Sequence, residues 1–156
     1  KDTAEVIKNW EEIKNLEKKN KDPNIIPNQD FFNIPTNMPA LQRAHKIGEK
    51  TEKYKFDWSE PTQVLKHLKS EIAELEQAMN EKNKLHIQHE IGDVLFTAAQ
   101  LARHLNSEPE SDLREANRRF MSRFNKMISE KKSLKDFIDL SPEEKEKLWT
   151  LIKMNS

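Results

Sequence analysis

The chain has 156 residues, enough for one domain, or one domain with an appended arm, and enough to bury a real core. Its 27 basic residues balance 27 acidic ones, which argues against a general nucleic-acid surface, and with no cysteine there can be no disulfide or thiolate zinc site. No apolar run reaches the length of a membrane span and no signal peptide is visible, so a cytoplasmic protein without a membrane partner is expected.

Two glycines and few β-branched runs favour helices throughout. Residues 3–20 place Val6, Trp10, Ile13 and Leu16 at helical spacing, which predicts a helix packed by one stripe. Residues 21–39 hold four of the seven prolines, Pro23, Pro27, Pro35 and Pro39. Proline lacks a backbone donor and blocks helix interiors, so this stretch reads as a loop. The expected organisation is an N-terminal helix and proline-rich loop over 1–39, then the domain proper over 40–156.

Helical period resumes over 40–54, with Ala40, Ala44, Ile47, Thr51 and Tyr54 as the expected buried face. Arg43, Lys46 and Lys50 run along its edge, either as a solvated flank or as a row facing phosphate. Phe56 and Trp58 follow, to pack or to stack on a base. Ser59-Glu60-Pro61 reads as a helix start, with a capping side chain and a proline in the first turn.

Residues 64–105 read as two helices joined by a short polar break near Asn80–Lys84. Val64, Leu68, Ile72, Leu75 and Met79 make the first apolar stripe; Ile87, Val94, Ala98, Leu101 and Leu105 make the second. Two acidic pairs, Glu71/Glu74 and Glu90/Asp93, border these stripes, each with its partners three apart and so on one helix surface. Glu49/Glu52 and Glu143/Glu146 share the spacing but project away from the apolar stripes, as solvated faces do. Carboxylates beside a core are costly unless paired or bound to metal, and four together repel one another. A hard divalent cation, Mg2+ or Mn2+, is the natural partner. A di-iron bundle would instead want Glu-x-x-His in two helices, and here the second members are Glu74 and Asp93. His86 and His89 project off the stripe and are expected at the surface without partners; His104, nearer the acidic side, is read as having no functional role, with contact to a ligand as the alternative.

Ser107-Glu108-Pro109-Glu110 reads as a capping box opening a helix to about Lys132, with Leu113, Phe120, Phe124, Met127 and Ile128 as its stripe. Asn117 sits inside that stripe and must find a hydrogen bond; Arg119 and Arg123 lie one turn apart at its edge, where they suit phosphate oxygens. Residues 133–140 form a connector, and Ser141-Pro142-Glu143-Glu144 caps a last helix with Leu148, Trp149 and Ile152 on its apolar side.

The string E-I-G-D-V-L-F-T-A-A-Q-L-A-R-H-L, following the E-x-x-E helix after a short gap, resembles the MazG-like nucleoside triphosphate pyrophosphohydrolases. P-A-L-x-R-A-x-K-I-x-x-K with F-D-W, A-N-R-R-F-M-S-R-F, and S-L-x-D-F with E-x-L-W-x-x-x-K are similar to other segments of that family. V-x-x-x-W-x-x-I-K-x-x-E-K resembles the lead into the second of two tandem domains, so the chain looks like the C-terminal one. The family usually carries glycine where this chain has Lys55, and many members carry a third Glu where it has Ser70. The resemblance implies an all-α fold and a four-helix core completed by a second subunit. It implies metal-dependent hydrolysis of nucleoside triphosphates between the α and β phosphates, as nucleotide-pool housekeeping. It implies metal ligation and catalysis by Glu71, Glu74, Glu90 and Asp93, and substrate contacts by Arg43, Lys46, Lys50, Trp58, Asn117, Arg119 and Arg123. Independently of it, Phe96 and Ala99 lie off the main stripe of their helix, and a helix apolar on two sides is buried on both, which also points to a homodimer. The competing reading is a non-catalytic helical module for dimerisation or interaction.

Overall fold

The computed structural model describes residues 32–155; the helix expected over 3–20 and the loop over 21–31 lie outside the described residues. Thr36–Ser156 form one compact unit. The described residues make six helices: α1 Ala40–Glu52, α2 Pro61–Glu81, α3 Lys84–His104, α4 Pro109–Ser129, α5 Leu134–Ile138 and α6 Pro142–Met154. Among them there is no strand, so the fold is all-α as expected.

Proline marks three helix starts, at Pro61, Pro109 and Pro142, where the first turn needs no backbone donor. The capping box at α6 forms as expected: Glu144 N donates to Ser141 Oγ at 3.2 Å, and Ser141 N donates to Glu144 Oε2 at 2.8 Å. The other two starts differ from expectation. Glu60, not Ser59, is the N-cap of α2; Ser59 donates through both N and Oγ to Gln63 Oε1 at 3.1 Å. At α4 the Glu108 carboxylate itself caps, accepting from Ser111 N at 2.8 Å, while Ser107 Oγ donates to Asp112 Oδ2. A carboxylate at a helix N-terminus meets both the free amides and the positive end of the dipole, which explains its preference over the serine.

Only Lys82 and Asn83 separate α2 from α3, so the two helices return on each other as an antiparallel pair and share the most extensive packing in the unit. Lys82 takes a left-handed φ of 56° to end α2, and the Asn83 side chain accepts from His86 N to start α3. Helix α1 packs on α3 and α4, and α6 packs on α4. Inside the connector expected at 133–140, α5 is capped by Ser133 and buries Phe137.

The expected stripes are rotated in the structure. On α2 the buried line is Val64, Glu71 and Ala78, while Ile72 and Met79 are 42% and 58% exposed. On α3 it is Glu90, Thr97, Ala99 and Gln100, and Leu105 faces outward. Of the expected stripes, Val64 is fully buried and Leu68, Leu75, Ile87, Val94 and Leu101 are half-buried. On α1 the buried residues are Ala44 and Gly48, whereas Ala40 and Tyr54 are exposed. Gly48 has no room for a Cβ, which would meet Gln100 and Arg103 of α3. On α4 the stripe residues Leu113, Phe120 and Phe124 are exposed, and so is Asn117 between them; Met127 is buried. Met127 joins Phe137 and Ile152 in a separate apolar cluster that ties together α4, α5 and α6.

The outward apolar residues are ordered. Leu65, Ile72 and Met79 recur every seven residues on α2, and Ile91, Leu95, Ala98 and Leu105 recur at four, three and seven on α3. Both are coiled-coil-like seams.

Candidate active site

Three of the four expected carboxylates converge. One oxygen from each of Glu71, Glu90 and Asp93 lies within 4.8 Å of the other two. Glu71 and Glu90 belong to the buried lines of α2 and α3, and Asp93, one turn beyond Glu90, is exposed. Glu74 is exposed and stands outside this cluster, its Oε1 accepting from Ser70 Oγ at 3.3 Å. Burial pushes the Glu71 carboxyl above the ordinary range; His67 opposes the rise, and the charges of Glu74, Asp93 and Glu90 add to it. The donor set is all oxygen, and its span suits a hard ion with metal–oxygen bonds of ~2.1 Å. Among the described residues this is the one cluster of metal-ligating side chains that meets this geometry.

Two histidines join the carboxylates. His67 Nε2 lies 2.9 Å from Glu71 Oε1, and His86 Nε2 lies 2.9 Å from Glu90 Oε1. His86 also approaches Glu81 at 3.5 Å, so the expectation that His86 lacks a partner is corrected: one turn along a helix brings it onto Glu90. The signal was present in the sequence. H-L-K-S-E-I-A-E at 67–74 and H-I-Q-H-E-I-G-D at 86–93 are the same pattern, His four before the first acid and the second acid three after it. His89, the other histidine of the second string, is exposed as expected.

A second polar cluster holds the Phe56–Ser59 loop. Asp57 Oδ1 accepts from Arg103 Nη2 at 2.7 Å and sits 3.0 Å from His104 Nε2; all three side chains are about nine-tenths buried. Burial alone would raise the Asp57 carboxyl, but the hydrogen bonds and charges of Arg103 and His104 outweigh it and hold it below the usual range. Arg103 Nε also donates to Gln100 Oε1, whose amide donates to the Ala44 carbonyl of α1. The His104 side chain is largely buried, with Asp57 as its partner. Lys55, before this loop, takes a left-handed φ of 58°, the conformation for which glycine is suited.

The expected substrate residues are spread over three elements. Lys46 is paired with Glu49 at 2.6 Å, and Arg43 and Lys50 are half-buried on the same helix. Trp58 packs between His67, at 5.5 Å between ring centroids, and the edge of His104, at 6.3 Å. Arg119 pairs with Glu115 at 3.5 Å and Arg123 is half-buried. Asn117 is exposed, which corrects the expectation that it lies in a buried stripe.

Residues 59–133, which span α2 to α4 and so carry all four acids, match the MazG nucleotide pyrophosphohydrolase domain. Residues 59–133 are a MazG domain. The chain is 39% identical over 120 residues to the nucleoside triphosphate pyrophosphohydrolase/pyrophosphatase MazG of Thermotoga maritima, covering 77% of this chain and 44% of that protein. It is 36% identical over 126 residues to the nucleoside triphosphate pyrophosphohydrolase of Escherichia coli K12, covering 78% and 46%. It is 30% identical over 155 residues to the YabN protein of Bacillus subtilis, covering 97% and 30%. The chain thus spans less than half the length of these relatives. Among the described residues, no helix of the MazG domain or its flanks is long and apolar enough to cross a membrane.

Proposed function

We propose that this MazG domain hydrolyses nucleoside triphosphates between the α and β phosphates, releasing monophosphate and pyrophosphate, with Mg2+ (or Mn2+) held by Glu71, Glu90 and Asp93 and Glu74 at the rim of the site. The observation that carries the reading is the convergence of the three carboxylates, two of them buried, at the α2–α3 interface. The names of the Thermotoga and Escherichia proteins support the substrate class. When bound, the ion supplies Lewis-acid neutralisation of the triphosphate and acidifies water.

The protein's own residues do the rest. Glu71 and Glu90 are held by the backbones of two closely packed helices and by His67 and His86, so the carboxylates need little reorganisation. Arg43, Lys46 and Lys50 on α1, with Arg119 and Arg123 on α4, are the cations proposed to clamp phosphate, beside Asn117. Lys46 and Arg119 are engaged in partly exposed ion pairs. Such pairs are worth only ~0–1 kcal/mol, so exchange for a triphosphate costs little. Trp58 offers an aromatic surface to a base at the edge of its packing against His67.

The seams on α2 and α3 support a homodimer in which a second copy covers Leu65, Ile72, Met79, Ile91 and Leu95 and completes a four-helix core. A cytoplasmic role in nucleotide housekeeping and the absence of nucleic-acid and membrane partners belong to the same proposal, as does the domain boundary near residue 40. Asp93→Asn tests the site. It leaves the fold intact and lowers turnover of a nucleoside triphosphate by more than the ~10–100-fold that outer-shell partners alone command. A variant as active as wild type would overturn the assignment.

A further inference from the structure

We propose that Asp57, Arg103 and His104 form a clamp that positions the metal-site carboxylate Glu71 through Trp58 and His67. The inference rests on the metal-site reading above and adds residues to it that do not touch the ion.

The path is continuous. Arg103 is fixed to α3 by Gln100 and approaches α1 through Glu52 at 3.3 Å, so its guanidinium is anchored at two further points before it meets Asp57. Asp57 Oδ1 collects three contacts: Arg103 Nη2 at 2.7 Å, His104 Nε2 at 3.0 Å and the Trp58 backbone amide at 2.9 Å. That last bond fixes the residue whose indole contacts both His104 and His67. His67 in turn reaches Glu71 Oε1 at 2.9 Å.

The arrangement is asymmetric in a way that calls for a support. His86 has two carboxylates, Glu90 and Glu81, to hold its ring. His67 has Glu71 and the Trp58 ring, tilted at 41° with 5.5 Å between centroids. The imidazole beside Glu71 therefore takes its second restraint from an aromatic ring, and that ring is set by the most buried ion pair among the described residues, with side-chain exposures of 9% and 11%. Surface pairs on α4 and α5 are far more open and would not impose a ring position. Outer partners of metal ligands act in this way, by fixing ring orientation and carboxylate position.

The test uses the whole chain with two clamp variants, Asp57→Asn and Trp58→Phe, alongside His67→Ala and the double variant Asp57→Asn/His67→Ala. Two readouts are taken: the imidazole NMR resonance of His67 without metal, and the dissociation constant for Mn2+ from its EPR signal. Asp57→Asn shifts the His67 resonance and raises the Mn2+ dissociation constant by ~10–100-fold with helical content unchanged. Trp58→Phe, which keeps an apolar ring, shifts the same resonance. The double variant binds Mn2+ no more weakly than His67→Ala alone, because both act through one path. A His67 resonance insensitive to both clamp variants, or fully additive losses in the double variant, overturns the clamp. A wild-type protein that binds no Mn2+ while its His67 resonance still follows Asp57→Asn overturns the metal-site reading and leaves the clamp standing as the support of His67.

Discussion

At the scale of single residues, the structure places costs where the chemistry is. Glu71 is the clearest case. Its carboxyl is raised by burial and by the charges of Glu74, Asp93 and Glu90, so the folded protein binds that proton more tightly than the unfolded chain. The stability it contributes is present at low pH and is lost as pH rises through the raised value. Glu71→Gln, which keeps an oxygen for His67, is therefore expected to raise the melting temperature of the metal-free protein at neutral pH and to lose that advantage as pH falls into the carboxylate range. Thermal melts across pH, in EDTA, measure it; equal melting temperatures at neutral pH would contradict it. Lys55 carries a different cost. A side chain in the left-handed region costs ~1–2 kcal/mol, and Lys55 adopts φ 58° with its residue exposed. Lys55→Gly should stabilise the protein by about 1 kcal/mol in urea, less the extra entropy of glycine in the unfolded chain. A destabilised variant would mean that the Lys55 side chain is holding the loop.

At the scale of elements, helix positions were legible because proline and serine punctuate them, and all six described helices fall where periodicity and punctuation put them except α5. That helix was hidden in a connector because its five residues are too few for periodicity to register. The faces were less legible. A single-stripe reading assumes one packing partner, and it assigned Ile72, Met79 and Leu105 to the core. In the unit Val64 is buried as that stripe predicts, and the rest of the core side of α2 and α3 is lined by Glu71, Ala78, Glu90, Thr97, Ala99 and Gln100, polar or small residues that a hydrophobicity pattern discounts. The carboxylates were found in spite of this, because their spacing singled them out. His86 is off the expected stripe and His67 stands out by no stripe position, so only the repeated H-x-x-x-E-I pattern signals both. The clamp could not be read at all, since Asp57 and Arg103 are 46 residues apart and meet only through the fold. The outward seams carry their own prediction. Burying an Ile or Leu side chain is worth ~1.5–3 kcal/mol, and Ile72→Asp with Leu95→Asp places charge in both seams. Sedimentation should show a dimer for wild type and a monomer for the double variant; a wild-type monomer would contradict the dimer.

At the scale of the whole molecule, the parts divide by task. The apolar cluster of Met127, Phe137 and Ile152 fastens the C-terminal helices on α4. The α2–α3 pair buries Val64 and Ala78 together with the carboxylates Glu71 and Glu90, each of which has a histidine partner. Buried carboxylates cost stability, which the proposed cation would offset, and the outer apolar seams are the surface proposed for another copy. The central claim is that this site breaks the α–β phosphate bond. The most direct measurement is product identification after incubating the purified chain with a panel of ribo- and deoxyribonucleoside triphosphates, in Mg2+ and in EDTA. The account predicts monophosphate and pyrophosphate in Mg2+ and no turnover in EDTA. Diphosphate with orthophosphate, or turnover that survives the chelator, would contradict it.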